Sequence, residues 1–186
     1  MSLNFEDVAP FLKQPRNYDL ELFKRIENFL KVELNYSKFK SRFRLFDYGS
    51  CSEIELFFDK QWNSIAFELS DDGIPHYEHA PYFNLRIYIS ARGPLITSRG
   101  LKEVSKGDQS QLCPSKNTRE LGPNPIAEEK AQALAMLVAQ KFNLIYVDMK
   151  WLEQFQLNKK DLTSDASLSL DFSEPDALNV LFSEVM

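Results

Sequence analysis

The chain has two histidines, and both fall in one short stretch, His76-Tyr77-Glu78-His79, just after Asp71-Asp72. Neutral imidazoles with a carboxylate oxygen suit zinc or another transition metal, so His76, Glu78 and His79 are the candidate metal ligands. Spacing supplies no further ligand, and residues three apart in a loop do not converge of themselves. Pro75 and Pro81 flank the stretch and read as a stiff surface link. The favoured expectation is therefore no metal and no cofactor. A second candidate is a carboxylate pair, Asp59 and Glu68, which could hold Mg²⁺ and activate water. A lysine beside the second acid would complete such a site, but Ser70 stands two residues after Glu68. No Gly-rich phosphate loop, dinucleotide fingerprint or nucleophile elbow is present. Cys51 and Cys113 have no histidine near them in sequence, and two cysteines cannot build a disulfide framework.

The carboxylates sit on segments that alternate with period two, the pattern of half-buried antiparallel strands. Phe43 and Leu45 alternate with Arg42 and Arg44; Ile54, Leu56 and Phe58 with Glu53, Glu55 and Phe57; Ile65, Phe67 and Leu69 with Ala66 and Glu68. Leu85, Ile87 and Ile89 alternate with Arg86, Tyr88 and Ser90. The polar face of such a sheet gathers Arg44, Glu53, Glu55, Glu68 and Arg86, whose opposite charges stabilise neighbouring strands.

Helices must cover the apolar face. Asn17 or Asp19 caps one running to about Leu34, with Leu22, Phe23, Ile26, Phe29 and Leu30 in one stripe. Asn124 caps another with Pro125 in its first turn, running to about Phe142 and apolar around much of its circumference. Leu144 to Val147 reads as a short fifth strand, Asp148 caps a brief helix, and Ser173 with Asp176 forms a capping box for a last one. The expected fold class is α+β over residues 1–186 as a single domain: a four-stranded antiparallel meander with helices packed on one face, plus a short fifth strand. A helix, three meandering strands, then a helix and a strand is similar to the layout of metal-dependent nucleases. Layout alone warrants little about activity.

Ser98–Pro125 reads as a long polar loop outside the core, removable without loss of folding. It holds three glycines, three prolines and five bases against three acids. The basic stretch Tyr36 to Arg44 interleaves aromatics with lysine and arginine, as single-strand binders do, and fits a helix-to-strand junction equally well.

The 186 residues carry 27 acids and 22 bases, a net charge of −5, which disfavours nucleic acid as a partner. The imbalance is local. Residues 156–186 hold six acids against two lysines, leaving 21 acids and 20 bases in the first 155. No apolar run reaches the ~20 residues of a membrane span, and the first residues do not resemble a signal peptide. The expectation is a cytoplasmic, non-catalytic binding module of the immunity-protein or chaperone kind, holding a basic protein partner, with a homo-oligomer as a further option. Its expected contact residues are Asp161, Asp165, Asp171, Glu174 and Asp176 of the acidic end, and Arg99, Lys102 and Lys106 of the loop. The alternative is a metal-dependent hydrolase or nuclease using Asp59 and Glu68.

Overall fold

The computed structural model describes residues 3–36, 39–42, 51–58, 83–106, 118–158, 162 and 175–182. Strands β1 (Phe39–Arg42), β2 (Cys51–Phe58), β3 (Phe83–Ser90), β4 (Leu95–Lys106) and β5 (Thr118–Pro123) pair antiparallel in chain order. A sixth, β6 (Ile145–Tyr146), pairs parallel with the start of β4, while β5 pairs with that strand's far end. The α+β class and the antiparallel meander thus hold, with the short additional strand where the apolar run Leu144–Val147 put it.

The meander is not built from all the expected segments. Ile65–Leu69 lies outside the described residues, and so do Phe43 and Leu45; the first strand is formed by the residues just before them. The expected loop at 98–125 is a correction: its described residues are all of β4 beyond its first three residues, β5 and the start of a helix. Gly100, Gly122 and Pro123 were the turn signals there. Gly100 instead marks a close approach, and Pro123 ends a strand at the sheet margin, where a missing N–H costs little. Removing 98–125 would take two strands from the sheet.

One sheet face carries Ile54, Leu56 and Phe58 of β2, set in register against Ile87, Leu85 and Phe83 of β3. Two helices cover it: α2 (Leu20–Asn28), continued by a π-helical turn Phe29–Glu33, and α3 (Pro125–Phe142). The sequence explains both starts. Asp19 Oδ1 accepts from the backbone N–H of Leu22 at 2.8 Å, and Asn124 Oδ1 from that of Ala127 at 3.1 Å. Asn35 and Asn143 end them in the left-handed region, at φ 54° and 56°.

The inward face of α3 is small. Ala127, Ala131, Ala135 and Ala139 are buried there with Leu134 and Val138, so the helix axis lies close over the strands. Closest is Gly100, where a Cβ would sit 2.0 Å from the carbonyl carbon of Ala127. Its N–H donates to Glu128 Oε2 at 2.7 Å, tying strand to helix.

On the other face, alternate residues Cys51, Tyr88 and Leu95 pack into a second cluster. It is closed by α1 (Phe5–Leu12), α4 (Met149–Leu152) and α5 (Ala177–Leu181). Pro10 inside α1 hides that helix from a pattern reading, since it removes one backbone donor. Asp148 caps α4 as expected; Asp176 itself caps α5, while Ser173 lies outside the described residues.

Gly100→Ala forces α3 off the sheet, because the obstacle is backbone and cannot rotate away. The expected cost is about 1–3 kcal/mol, a fall in Tm of roughly 3–10 °C in a thermal melt. An unchanged Tm would contradict the close approach.

Candidate interaction surface and the polar sheet face

The sheet face opposite α2 and α3 carries the charges that alternation placed there. Register sets Glu53 beside Tyr88 and Glu55 beside Arg86, with Arg99 next to Arg86 across β4. One guanidinium bridges both carboxylates: Arg86 Nη2 lies 3.0 Å from Glu55 Oε1, and Nη1 lies 3.5 Å from Glu53 Oε1. Arg86 Nε donates to Asn84 Oδ1 at 2.6 Å, which fixes the plane of the fork. Both glutamates are buried, whereas the Arg86 side chain keeps 24% of its exposure. A buried carboxylate pair is tolerable only with such a shared counter-charge. Arg86 responds in kind: burial works against its charged form, but the Tyr88 hydroxyl, Glu55 and Glu53 outweigh that and raise its pKa.

Tyr88 lies fully buried beside this trio. Burial pushes its phenol pKa well up, opposed by the Arg86 charge and reinforced by Glu53. Arg86 is near enough to act on the hydroxyl electrostatically without meeting hydrogen-bond geometry. The Tyr88 hydroxyl, Thr97 Oγ1 and Asn84 Nδ2 are buried without hydrogen-bond partners among the described residues. The face is a structural charge cluster of Glu53, Glu55 and Arg86 as the alternation foretold; Asn84, Tyr88 and Thr97 joined it without being singled out, although Tyr88 shares the outward phase of β3.

The candidate ligands and acids fare differently. Asp59, Glu68, His76, Glu78 and His79 lie outside the described residues, as do Arg44, Cys113, Asp161, Asp165, Asp171 and Glu174. Among the described residues no group of three or more His, Cys, Asp and Glu side chains is placed to hold a metal ion. Asp176 serves as the α5 cap, its Oδ1 accepting from the Asn179 N–H at 2.7 Å. Arg99, Lys102 and Lys106 belong to β4 rather than to a loop, a correction that follows from their strand pairing. Lys102 is half-buried, its ammonium 5.8 Å from the Phe83 ring centre. Two described aromatics of the basic stretch, Tyr36 and Phe39, pack inward. Tyr36 meets Phe58 edge to face with ring centres 5.5 Å apart, and Phe39 packs on the main core, so neither is displayed for base stacking. Cys51 is buried in the second cluster.

The surface that stands out is the outer side of α3. Ile126 is 56% exposed, Met136 52% and Leu137 42%, and the exposed Ala133 lies between them. These positions lie on the outer side of α3 at helical spacing, with Glu129 and Gln140 among them and Lys130 at one edge. The helix, apolar around much of its circumference, is enclosed only on the side of Ala127, Ala131, Leu134, Ala135, Val138 and Ala139. Ile126, Met136 and Leu137 point to solvent, whereas Leu134 and Val138 are buried.

The fold and this surface define an α+β protein with a mixed, mostly antiparallel sheet, covered on one face by two helices, one of which carries an apolar outer arc. No protein family, no curated protein and no solved structure matches the chain. Among the described residues no helix is long and apolar enough to cross a membrane.

Arg86→Met leaves two buried carboxylates without their shared cation, and is expected to cost about 2–3 kcal/mol, less than a fully buried pair because Arg86 is a quarter exposed. Denaturant unfolding measures it; a change under 0.5 kcal/mol would remove the cluster's structural role. For Tyr88 the raised folded pKa means that the stability linked to its neutral form is intact below about pH 10 and is lost as pH rises further. Tyr88→Phe should unfold no more easily at pH 7, since the deleted hydroxyl has no well-formed hydrogen bond among the described residues, and should lose less stability between pH 9 and 11. Tyr36 and Tyr146, also raised by burial, supply the slope that remains.

Proposed function

We propose that this chain is a non-catalytic protein-binding module that docks a basic protein partner on the outer face of α3. One observation carries the reading: α3 turns Ala127, Ala131, Ala135 and Ala139 to the sheet and Ile126, Met136 and Leu137 to water. Solvated helices normally carry charge in that position, and large apolar side chains left exposed on one helix side favour a contact surface. The partner's basic character rests on the net charge of −5 and its concentration in residues 156–186. Opposite charge speeds encounter, and the apolar arc holds the bound state. An inhibitor of a cationic nuclease or a secretion chaperone would fit this acidic profile.

The double variant Met136→Gln/Leu137→Gln tests the reading. Both sites are exposed, so Tm should move by no more than about 3 °C. Capture of the partner from extracts of the native host, identified by mass spectrometry and then titrated in purified form, should weaken at least tenfold, the loss of about 1.4 kcal/mol at a contact centre. Undiminished binding by the variant would remove α3 from the interface.

A further inference from the structure

We infer that the cavity between the α1–α2 link and the β3–β4 turn binds a small neutral molecule, an aromatic ring system carrying a hydroxyl, which pairs with the hydroxyl of Ser52. None of the outer residues of α3 lines this cavity, so the inference stands apart from the docking reading. Its volume, about 440 Å³, falls in the ordinary range of small-molecule sites.

The cavity opens where the apolar face of the sheet runs out. Along β2 that face carries Phe58, Leu56 and Ile54, and its next position is Ser52. Ser52 pairs in register with Ile89 of β3, and the two form the floor. Leu22 and Phe23 of α2, Leu144 after α3, Phe11 of α1 and Tyr18 of the link complete an apolar and aromatic wall. A valine at position 52 would continue the apolar series and fill the space. Serine leaves the space open and sets a hydroxyl in it. Ser52 is 5% exposed, yet its Oγ has no hydrogen-bond partner among the described residues. A buried polar group left unpaired is costly, and a ligand that meets it recovers the loss.

The charged residues of the lining are structural. Arg92 donates from Nε to the Val180 carbonyl at 3.1 Å and from Nη1 to the Gln14 carbonyl at 2.6 Å, which ties the β3–β4 turn to α5 and to the link. The Asn17 N–H holds the link again, donating to the Ala91 carbonyl at 2.6 Å. The walls are therefore preformed, and little ordering remains when a ligand enters. An anion would have to displace the Arg92 bonds to reach its guanidinium. Asp19 is exposed and spends Oδ1 on the α2 cap, so an ammonium beside it gains only a water-screened pair. A charge brought inside would lose its hydration for no equivalent return. A neutral ring packs edge to face or offset against Phe11, Tyr18 and Phe23. The Ser52 hydroxyl donates or accepts as it turns, and a ligand hydroxyl answers either sense.

The probe is 2-naphthol, with 2-naphthoate and 2-naphthylmethylamine as charged controls on the same rings, titrated calorimetrically into the intact protein at neutral pH. Saturable binding of 2-naphthol is expected below about 1 mM, with each control about tenfold weaker. Ser52→Ala deletes only an unpartnered hydroxyl; Tm should stay within about 3 °C and 2-naphthol should bind about fivefold more weakly. Ser52→Val suits the strand, fills the floor and should abolish binding. The inference is overturned if 2-naphthol does not bind at millimolar concentration, if either charged control binds as well, or if either variant binds 2-naphthol as tightly as the unaltered protein. The control series on the unaltered protein decides the matter even if a variant folds poorly.

Discussion

The nearness of α3 to the sheet governs most of the molecule. A helix can sit over strands at such short range only if both surfaces are small where they meet, and Gly100 against Ala127 is that meeting point. From it follow the hydrogen bond from Gly100 N–H to Glu128, the alanine repeat along the inward face, and the space left for large side chains on the sheet itself. Ile54, Leu56, Ile87 and Ile96 fill that space from below, each burial worth about 1.5–3 kcal/mol. The large members of the pair are on the strands and the small ones on the helix. Leucine, isoleucine and methionine elsewhere on α3 therefore add nothing to this packing, and their retention on the outer side needs another account. A covering partner is the account proposed.

The two sheet faces solve different problems. The α2/α3 face is apolar and specifies contact by shape. The opposite face buries Glu53 and Glu55 at a desolvation cost that only the Arg86 fork offsets. Such an arrangement contributes little net stability, but it resists slippage. A one-residue shift of β2 against β3 would set both glutamates among the isoleucines of the core and remove them from Arg86. The charge cluster is thus a register lock on strands whose apolar alternation would otherwise be the sole guide.

What the amino-acid sequence disclosed, and what it hid, follows from the range of the forces involved. Caps are local, and Asp19, Asn124 and Asp148 were all legible as helix starts. Period-two alternation is local too, so β2, β3 and the Glu53–Glu55–Arg86 cluster could be read directly. Gly100 misled because a glycine signals turns by its freedom and close contacts by its lack of a side chain; only the position of Ala127, 27 residues further on, distinguishes the two uses. The polar composition of 98–125 hid strands β4 and β5 for a related reason. Nothing local to Arg92 signals its burial, which depends on carbonyls of Gln14 and Val180, 78 and 88 residues away. The sequence of α3 is apolar around much of its circumference, and periodicity cannot say which side a neighbour covers and which stays exposed.

Charge in the described part of the molecule is largely engaged within it. Asp19, Asp148 and Asp176 cap helices, Glu27 accepts from the Ser41 hydroxyl, Glu33 pairs with Lys141 at 3.2 Å, Glu128 holds Gly100, and Glu53 with Glu55 holds Arg86. Carboxylates so committed still contribute to the field around the protein, because a cap or an exposed ion pair screens rather than cancels a distant charge. They are poor anchors, since a partner would have to break one contact to make another. On the proposed reading the two roles therefore separate in space. Attraction comes from the net negative field, to which residues 156–186 contribute most. Retention comes from Ile126, Met136 and Leu137, which have no internal task to give up. Salt should then slow association strongly and alter dissociation little, since screening reaches the field and not the apolar contact.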